Sequence, residues 1–307
     1  MLAEAVGLLA VKEEGVYVDA TLGGGGYTEA LLEAGAQKVI ALDWDREALE
    51  RAEQRLAPHG SKVVLHRAGF QELDSVLAGM NIETVDGVAA DLGLSSDQLE
   101  TGSRGFSFRH DGPLDMRMDT SMKTTAAHIV AGADEKTLRG ILGRFGQEPL
   151  GGRISRAIVA ERARRPIATT GQLADLVSRV AGRTGKRIHP ATRTFMALRM
   201  AVNKELENLE RLLSCLPRVL KPGGRAVVVS YHSLEDRRVK EFFREGSKSC
   251  TCPPGRPCVC SGQARFRLLT RKPIGPDPRE VERNPRARSA RLRAVERLRD
   301  EVDGIRR

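Results

Sequence analysis

The chain has 307 residues, 40% of them hydrophobic and 29% charged, which supplies a core and excludes a disordered polyelectrolyte. Lysine and arginine number 50 against 40 aspartates and glutamates, a net charge of +10 that suits a polyanionic partner and is also compatible with a basic protein that has none. No run reaches the roughly 18–20 apolar residues of a membrane span, the first residues do not read as a secretory leader, and an aromatic share of 4% argues against a surface built mainly on base stacking. A cytoplasmic protein with no membrane partner is the expectation.

In chain order, Val16–Asp19 (VYVD) reads as a strand, followed by the glycine run Gly23–Gly26 and a helix over Tyr27–Glu33. Lys38–Asp43 (KVIALD) is a second strand and Arg46–Leu56 a charged amphipathic helix. Ser61–Leu65 and Val85–Asp91 are a third and a fourth strand. Strands alternating with helices at this spacing predict βαβ units and a parallel sheet. From Leu99 to Asn203 helical pattern takes over, with polar joints at Gly102–Arg104 and Gly182–Lys186 and a basic middle that includes Arg153, Arg156, Arg162, Arg179, Arg183, Lys186 and Arg187. After a helix over Lys204–Leu216 the α/β pattern returns with Arg225–Ser230 (RAVVVS). The expected fold is therefore α/β: a Rossmann-like domain over residues 1–98 and 204–307, interrupted by an inserted helical domain over 99–203. From Arg279 onward ten arginines crowd the tail, which reads either as a solvated, frayed helix or as an RNA-contacting arm in which Arg286 and Arg288 meet phosphate.

The strongest local signal is D-A-T-L-G-G-G-G-Y, Asp19–Tyr27, at a strand-to-helix junction where glycines permit a sharp turn and close approach of a ligand. Asp43 ends the second strand, where a carboxylate accepts hydrogen bonds from the two hydroxyls of an adenosine ribose. Both features also suit a nicotinamide enzyme. L-K-P-G-G, Leu220–Gly224, before the strand RAVVVS is similar to the penultimate turn of Rossmann-like methyltransferases, and it favours S-adenosylmethionine over NAD. Phe70, after the third strand, is placed to pack on an adenine, and Asp91 ends the fourth strand at the sheet's carboxyl edge, where such folds bind ligands.

Longer blocks carry a closer likeness. D-L-G-L-S-S-D-Q (Asp91–Gln98), R-G-F-S-F-R-H-D-G-P-L-D-M-R-M-D (Arg104–Asp119), H-P-A-T-R-T-F-M-A-L-R-M-A-V-N-K-E-L (His189–Leu206), S-Y-H-S-L-E-D-R-R-V-K (Ser230–Lys240) and N-P-R-A-R-S-A (Asn284–Ala290) resemble the bacterial ribosomal RNA small-subunit methyltransferase H family, also called MraW. The resemblance implies methyl transfer from S-adenosylmethionine to the N4 amino group of a cytidine in the decoding region of small-subunit ribosomal RNA, with that RNA held within a ribosomal subunit. It also implies cofactor contacts at Gly25, Gly26, Tyr27, Asp43, Phe70, Asp91 and Gln98, and a helical insertion. Three departures stand out. Family members commonly carry histidine where this chain has Tyr27, an H-x-P-V segment ahead of the equivalent of Leu2–Val6, and a G-E-E motif where this chain has Gly146-Gln147-Glu148. A missing N-terminal stretch is expected from the second.

A cytosine amino nitrogen is a poor nucleophile, because its lone pair is delocalised into the ring. Transfer requires a fixed base and an acceptor near the N4 hydrogens. Asp91 is assigned the bridging role between cofactor and base, with Asp115 and His232 as further catalytic candidates and Ser233 and Asp236 beside them. His189, Arg193 and Asn203 share the helical block at the end of the insertion; Arg193 is the RNA-contacting candidate, with a buried hydrogen-bond network as the equal alternative. The target base must leave its stack to react. Cys250, Cys252, Cys258 and Cys260 form a C-x-C pair of pairs, tighter than usual zinc spacing; reduced thiols are favoured over zinc, and no metal is expected in the active site. A homodimer is compatible with all of this. A non-enzymatic basic RNA-binding protein is the rival reading, and it leaves the glycine loop, Asp43 and Asp91 without a task.

Overall fold

The computed structural model describes residues 1–182, 189–250, 252 and 263–299. Arg183, Lys186, Arg187, Cys258, Cys260 and the last arginines of the tail lie outside the described residues. The chain forms two compact units: Met1–Gly93 together with the chain from Glu207 onward, and Leu94–Leu206.

The first part of the larger unit runs α1 (Leu2–Leu9), β1 (Val16–Asp19), α2 (Gly26–Glu33), β2 (Lys38–Asp43), α3 (Arg46–Leu56), β3 (Val63–Arg67), α4 (Leu73–Gly79) and β4 (Val85–Asp91). The second unit holds α5 (Ser96–Glu100), α6 (Ala126–Gly132), α7 (Glu135–Arg144), α8 (Gly151–Arg162), α9 (Thr170–Ala181) and α10 (Thr192–Asn203). The chain then continues through α11 (Glu205–Val219), β5 (Leu220–Ser230), α12 (Ser233–Gly246), β6 (Phe266–Leu268), α13 (Pro278–Arg283) and β7 (Arg291–Arg297).

The seven strands form one sheet in the order β3-β2-β1-β4-β5-β7-β6. The first five are parallel, and β7 runs antiparallel between β5 and β6. This is a Rossmann-like α/β architecture. Its parallel strands are apolar on both faces: in β2, Val39, Ile40, Ala41 and Leu42 are all fully buried. Val18, Ile40, Val88 and Val228 pack with Leu73, Leu213, Val239 and Phe243 on one face. Tyr17, Val39, Ala89 and Val227 pack with Leu9 and Leu31 on the other. Between Asp45, whose side chain caps α3 by accepting from Glu47 N–H at 3.1 Å, and Leu56, the buried Ala48, Ala52 and Leu56 repeat every fourth residue. The chain winds outward from β1 to β3 and then crosses to β4 on β1's other side. The carboxyl ends of β1 and β4 therefore flank the switch point where open α/β sheets bind ligands.

Two expectations are corrected. The segment L-K-P-G-G does not separate helix from strand: β5 begins at Leu220, and the turn is a bulge within it. Leu220 pairs with Val85 and Arg225 with Gly87, so the extra residues loop out. Gly223 has φ 81° there, and Lys221 Nζ reaches Asp86 Oδ2 at 2.7 Å across the bulge. The arginine-rich tail is not a frayed helix over its described residues: Arg291–Arg297 enters the sheet as β7. Leu292, Ala294 and Val295 are fully buried, and Arg293, 6% exposed, pairs bidentately with Asp236 at 2.6 and 3.1 Å.

The Leu94–Leu206 unit is organised around an irregular loop. Asn203, 1% exposed, accepts from Met118 N–H at 2.8 Å and donates to the carbonyls of Met116 (2.7 Å) and Arg199 (2.8 Å). Arg104 donates to the carbonyls of Arg117 and Met118 at 3.2 and 2.8 Å. Phe108 lies against His189 with ring centroids 4.4 Å apart. The Asn203 and His189 interactions are thus internal to this unit.

Candidate active site

The site grows from the carboxyl ends of β1, β2 and β4. Asp19, fully buried at the end of β1, accepts from Thr28 Oγ1 at 2.8 Å and from Thr21 N–H at 3.2 Å, which ties both ends of the glycine loop to one carboxylate. Burial pushes its carboxyl up to about 6, against the pull of those hydrogen bonds. Gly25 has φ 81°, and a Cβ there would stand 3.3 Å from Leu56 Cδ1, so both conformation and space call for glycine. A Cβ on Gly24 or Gly26 would meet nothing within 4 Å, so this stretch of backbone has an open side.

Asp43, at the end of β2, accepts from Gly23 N–H and Asp45 N–H, one on each oxygen, both at 2.9 Å. Burial raises its carboxyl above the ordinary range. A carboxylate has about four acceptor sites, so acceptor capacity remains on Asp43 for a ligand hydroxyl. Trp44 follows it, and its ring lies 6.1 Å from that of Phe70 at 47°. Both are half-buried, which gives the β2–β3 edge an apolar pair suited to a flat aromatic ligand.

Asp91 closes the group. Its backbone N–H donates to Thr21 Oγ1 at 2.7 Å, linking the end of β4 to the glycine loop. The phenols of Tyr27 and Tyr231 neighbour its carboxylate, and Oδ1, shielded from solvent, has no hydrogen-bond partner among the described residues. Burial holds the carboxyl up at about 6; the two phenols pull it down and Asp19 pushes it up. Burial also raises both phenols, which stay protonated donors. Tyr231 begins the loop after β5, and its ring covers Gly93 (φ 112°), where a Cβ would come within 3.4 Å of Cδ2. An orphaned buried carboxylate oxygen calls for a donor, such as an ammonium or an amino group, from outside the protein.

The remaining candidates fall into different settings. Gln98 belongs to the Leu94–Leu206 unit; it is 8% exposed and forms a reciprocal capping box with Ser95 at the start of α5. Asp115 is clamped by Arg117, whose Nε and Nη2 each lie 2.7 Å from a carboxylate oxygen. Although burial pushes its carboxyl up, the Arg117 bonds prevail and hold it below the ordinary range, which suits a structural clamp better than a proton acceptor. Asp236 is engaged by Arg293. His232 caps α12, its Nδ1 accepting from Leu234 N–H at 3.3 Å, and it lines a cleft of about 340 Å³ with Tyr231, Ser233 and Arg288. Arg193 is exposed on α10 and donates to Gln147 O at 3.3 Å; Arg286 and Arg288 are exposed before β7. Among the described residues no group of three or more His, Cys, Asp or Glu is placed to hold a metal. Cys250 is exposed and Cys252 partly buried; Cys258 and Cys260, the other members of the expected cluster, lie outside the described residues. No described helix is long and apolar enough to cross a membrane.

Sequence reasoning passed over Trp44, Thr21, Thr28 and Tyr231. The first follows a recognised acid directly, and the threonines flank the glycines. Tyr231 is the hardest, because only the pairing of β4 with β5 brings it to Asp91.

The sequence model described as the MraW methylase family matches residues 1–298. A protein named ribosomal RNA small subunit methyltransferase H from Syntrophobacter fumaroxidans is 54% identical over 96% of this chain and 94% of its own length. One of the same name from Thermomicrobium roseum is 48% identical over 97% and 92%. Among solved structures, an rRNA methylase from Streptococcus thermophilus is similar at 17% identity with a TM-score of 0.40, covering 97% of this chain and 92% of that one, a likeness too remote to carry an argument.

Proposed function

The chain belongs to the MraW methylase family, and we propose that it transfers a methyl group from S-adenosylmethionine to the N4 amino group of a cytidine in the decoding region of bacterial small-subunit ribosomal RNA. The observation that carries this reading is Asp91: a buried carboxylate at the switch point, flanked by two phenols, with one oxygen left for a ligand. The name shared by the relatives supplies the substrate class.

The residues present fit the cofactor. Asp43 suits the ribose diol, Trp44 and Phe70 the adenine, the open backbone at Gly24–Gly26 the close approach of the amino acid part, and Asp91 its ammonium. When bound, S-adenosylmethionine supplies an electrophilic methyl group on a sulfonium sulfur. The protein's task is positioning, because a cytosine amino group reacts only when held in line and its lone pair is drawn out of conjugation. Asp91, ionised above about pH 6, orients the reacting groups and accepts a hydrogen bond from an amino donor. Tyr27 takes the place of the family's histidine as one of the two phenols beside it. The substrate is offered within a ribosomal subunit in the cytoplasm, with the base turned out of its stack.

The test is methyl transfer from labelled S-adenosylmethionine to small subunits lacking their native methylations, followed by nucleoside mass spectrometry. N4-methylcytidine formed by the wild type and absent with Asp91→Ala is the expected result. Transfer to another atom, or full activity of Asp91→Ala, overturns the assignment.

A further inference from the structure

The cleft beside Tyr231 shares that residue with the site described above and is otherwise built from different residues. It is lined by His232 and Ser233 at the start of α12, by Gly275, and by Arg288 and Arg291 at the entry to β7. At about 340 Å³ it is within the size range of small-molecule sites. Among the described residues no aspartate or glutamate lines it, and the nearest carboxylate along α12, Glu235, is occupied by the N–H groups of Tyr231 and His232.

The arginines of this region divide into two groups. Arg293 pairs with Asp236, and Arg225 and Arg267 both reach Glu296, at 3.2 and 2.7 Å. Arg288 and Arg291 are exposed, and among the described residues neither guanidinium has a hydrogen-bond or ion-pair partner. Two exposed guanidiniums without partners therefore line one cleft together with the start of α12, whose first N–H groups are already engaged by Glu235 and His232. A pair of open guanidiniums is the chemistry of a phosphate site, where these planar groups bind bidentately. Gly275 adds approachable backbone: a Cβ there would meet nothing within 4 Å.

The cleft also has a direction. Tyr231 lines it, and the same ring lies against Gly93, two residues after Asp91. We propose that this cleft seats a phosphodiester of the substrate RNA strand beside the target nucleoside, gripped by Arg288 and Arg291 and leaving the base free to reach Asp91. The proposal rests on the RNA-methylating reading above and adds a backbone subsite to it. Serving as a backbone clamp, the cleft reads no base, so it contributes affinity and register while sequence is recognised elsewhere.

The experiment compares wild-type protein with Arg288→Gln/Arg291→Gln and with a charge-matched control, Lys62→Gln/Arg211→Gln, whose exposed side chains lie outside the cleft. The probe is a single-stranded small-subunit ribosomal RNA fragment, titrated across a salt series, with binding of S-adenosylhomocysteine as the check on folding. The cleft variant is expected to lose about 10- to 100-fold in RNA affinity, and its log–log salt slope is expected to fall by roughly 1–2, one phosphate contact per arginine. The control keeps the wild-type slope, and all three proteins bind S-adenosylhomocysteine alike. A cleft variant with the control's slope and affinity overturns the proposal, as does wild-type protein that binds no RNA. Wild-type protein that binds RNA with the predicted slope difference but transfers no methyl group overturns the functional reading and leaves the phosphate site standing.

Discussion

Replacing Tyr231 by phenylalanine removes one of the two phenols beside Asp91 while keeping the ring over Gly93. The hydroxyl favours the ionised carboxylate, so its loss disfavours the charged form and the pKa rises. A hydrogen bond to a charged group contributes about 1.5–3 kcal/mol; the lower end applies to a half-buried donor, and it moves the titration up by about one pH unit. Asp91 then titrates near 7 instead of about 6. If the carboxylate holds the cofactor's ammonium, affinity follows its ionised fraction. Calorimetric titration with S-adenosylhomocysteine is therefore expected to show Tyr231→Phe about threefold weaker than wild type near pH 6.5 and within about 10% of it near pH 8. Tyr27→Phe is expected to shift in the same direction, since Tyr27 is the other phenol. The RNA plays no part in this measurement. An equal loss at every pH, or an acid limb that does not move, would refute the argument that the phenols set the charge state of Asp91.

Other outcomes follow from the same geometry. Asp43→Ala leaves Gly23 N–H and Asp45 N–H without their acceptor and removes both diol contacts, so S-adenosylhomocysteine binding should weaken about 100-fold; retention of wild-type affinity would place the ribose elsewhere. Asn203→Ala strips partners from three backbone groups inside the Leu94–Leu206 unit and should lower its stability by about 2–4 kcal/mol, read by denaturant unfolding. Asp19, with a folded-state carboxyl at about 6 against an ordinary 3.8, binds its proton more tightly folded than unfolded. Its contribution is therefore fully present below about pH 4 and lost as pH rises through about 6, on the order of 2–3 kcal/mol. The unfolding midpoint of the ligand-free protein should fall more steeply over that window than that of Asp19→Asn, and equal slopes would contradict the assignment.

Much of the α/β unit is legible along the chain because its signals are local. The bounds expected for β1, β2, α3 and β4 are those observed. Each is either a short apolar run buried on both faces or a helix with apolar residues at fourfold spacing, and such patterns do not depend on distant residues. The glycine loop and Asp43 share this property: a turn with positive φ and a strand-ending acid declare themselves by residue type.

Where partners are remote, the pattern misleads. The third strand, expected at Ser61–Leu65, is observed at Val63–Arg67, because the chain stays in a 3-10 segment through Lys62, broken at Gly60 with φ 55°. The arginine-rich tail reads as solvated because composition records the cations and not the acids that meet them. Of its arginines, Arg293 meets Asp236 only once β7 lies beside β5, and the buried Leu292, Ala294 and Val295 then anchor the strand, while Arg286, Arg288 and Arg291 stay exposed. Tyr231 follows the same logic: 140 residues of chain separate it from Asp91, and only the parallel register of β4 with β5 places its phenol beside that carboxylate. Residue types along the chain thus determined which chemistry this protein carries and most of its elements. Tertiary structure decided which charges are satisfied, which remain open and which oxygen awaits a ligand, because hydrogen bonds and ion pairs depend on distance in space and not on separation along the chain.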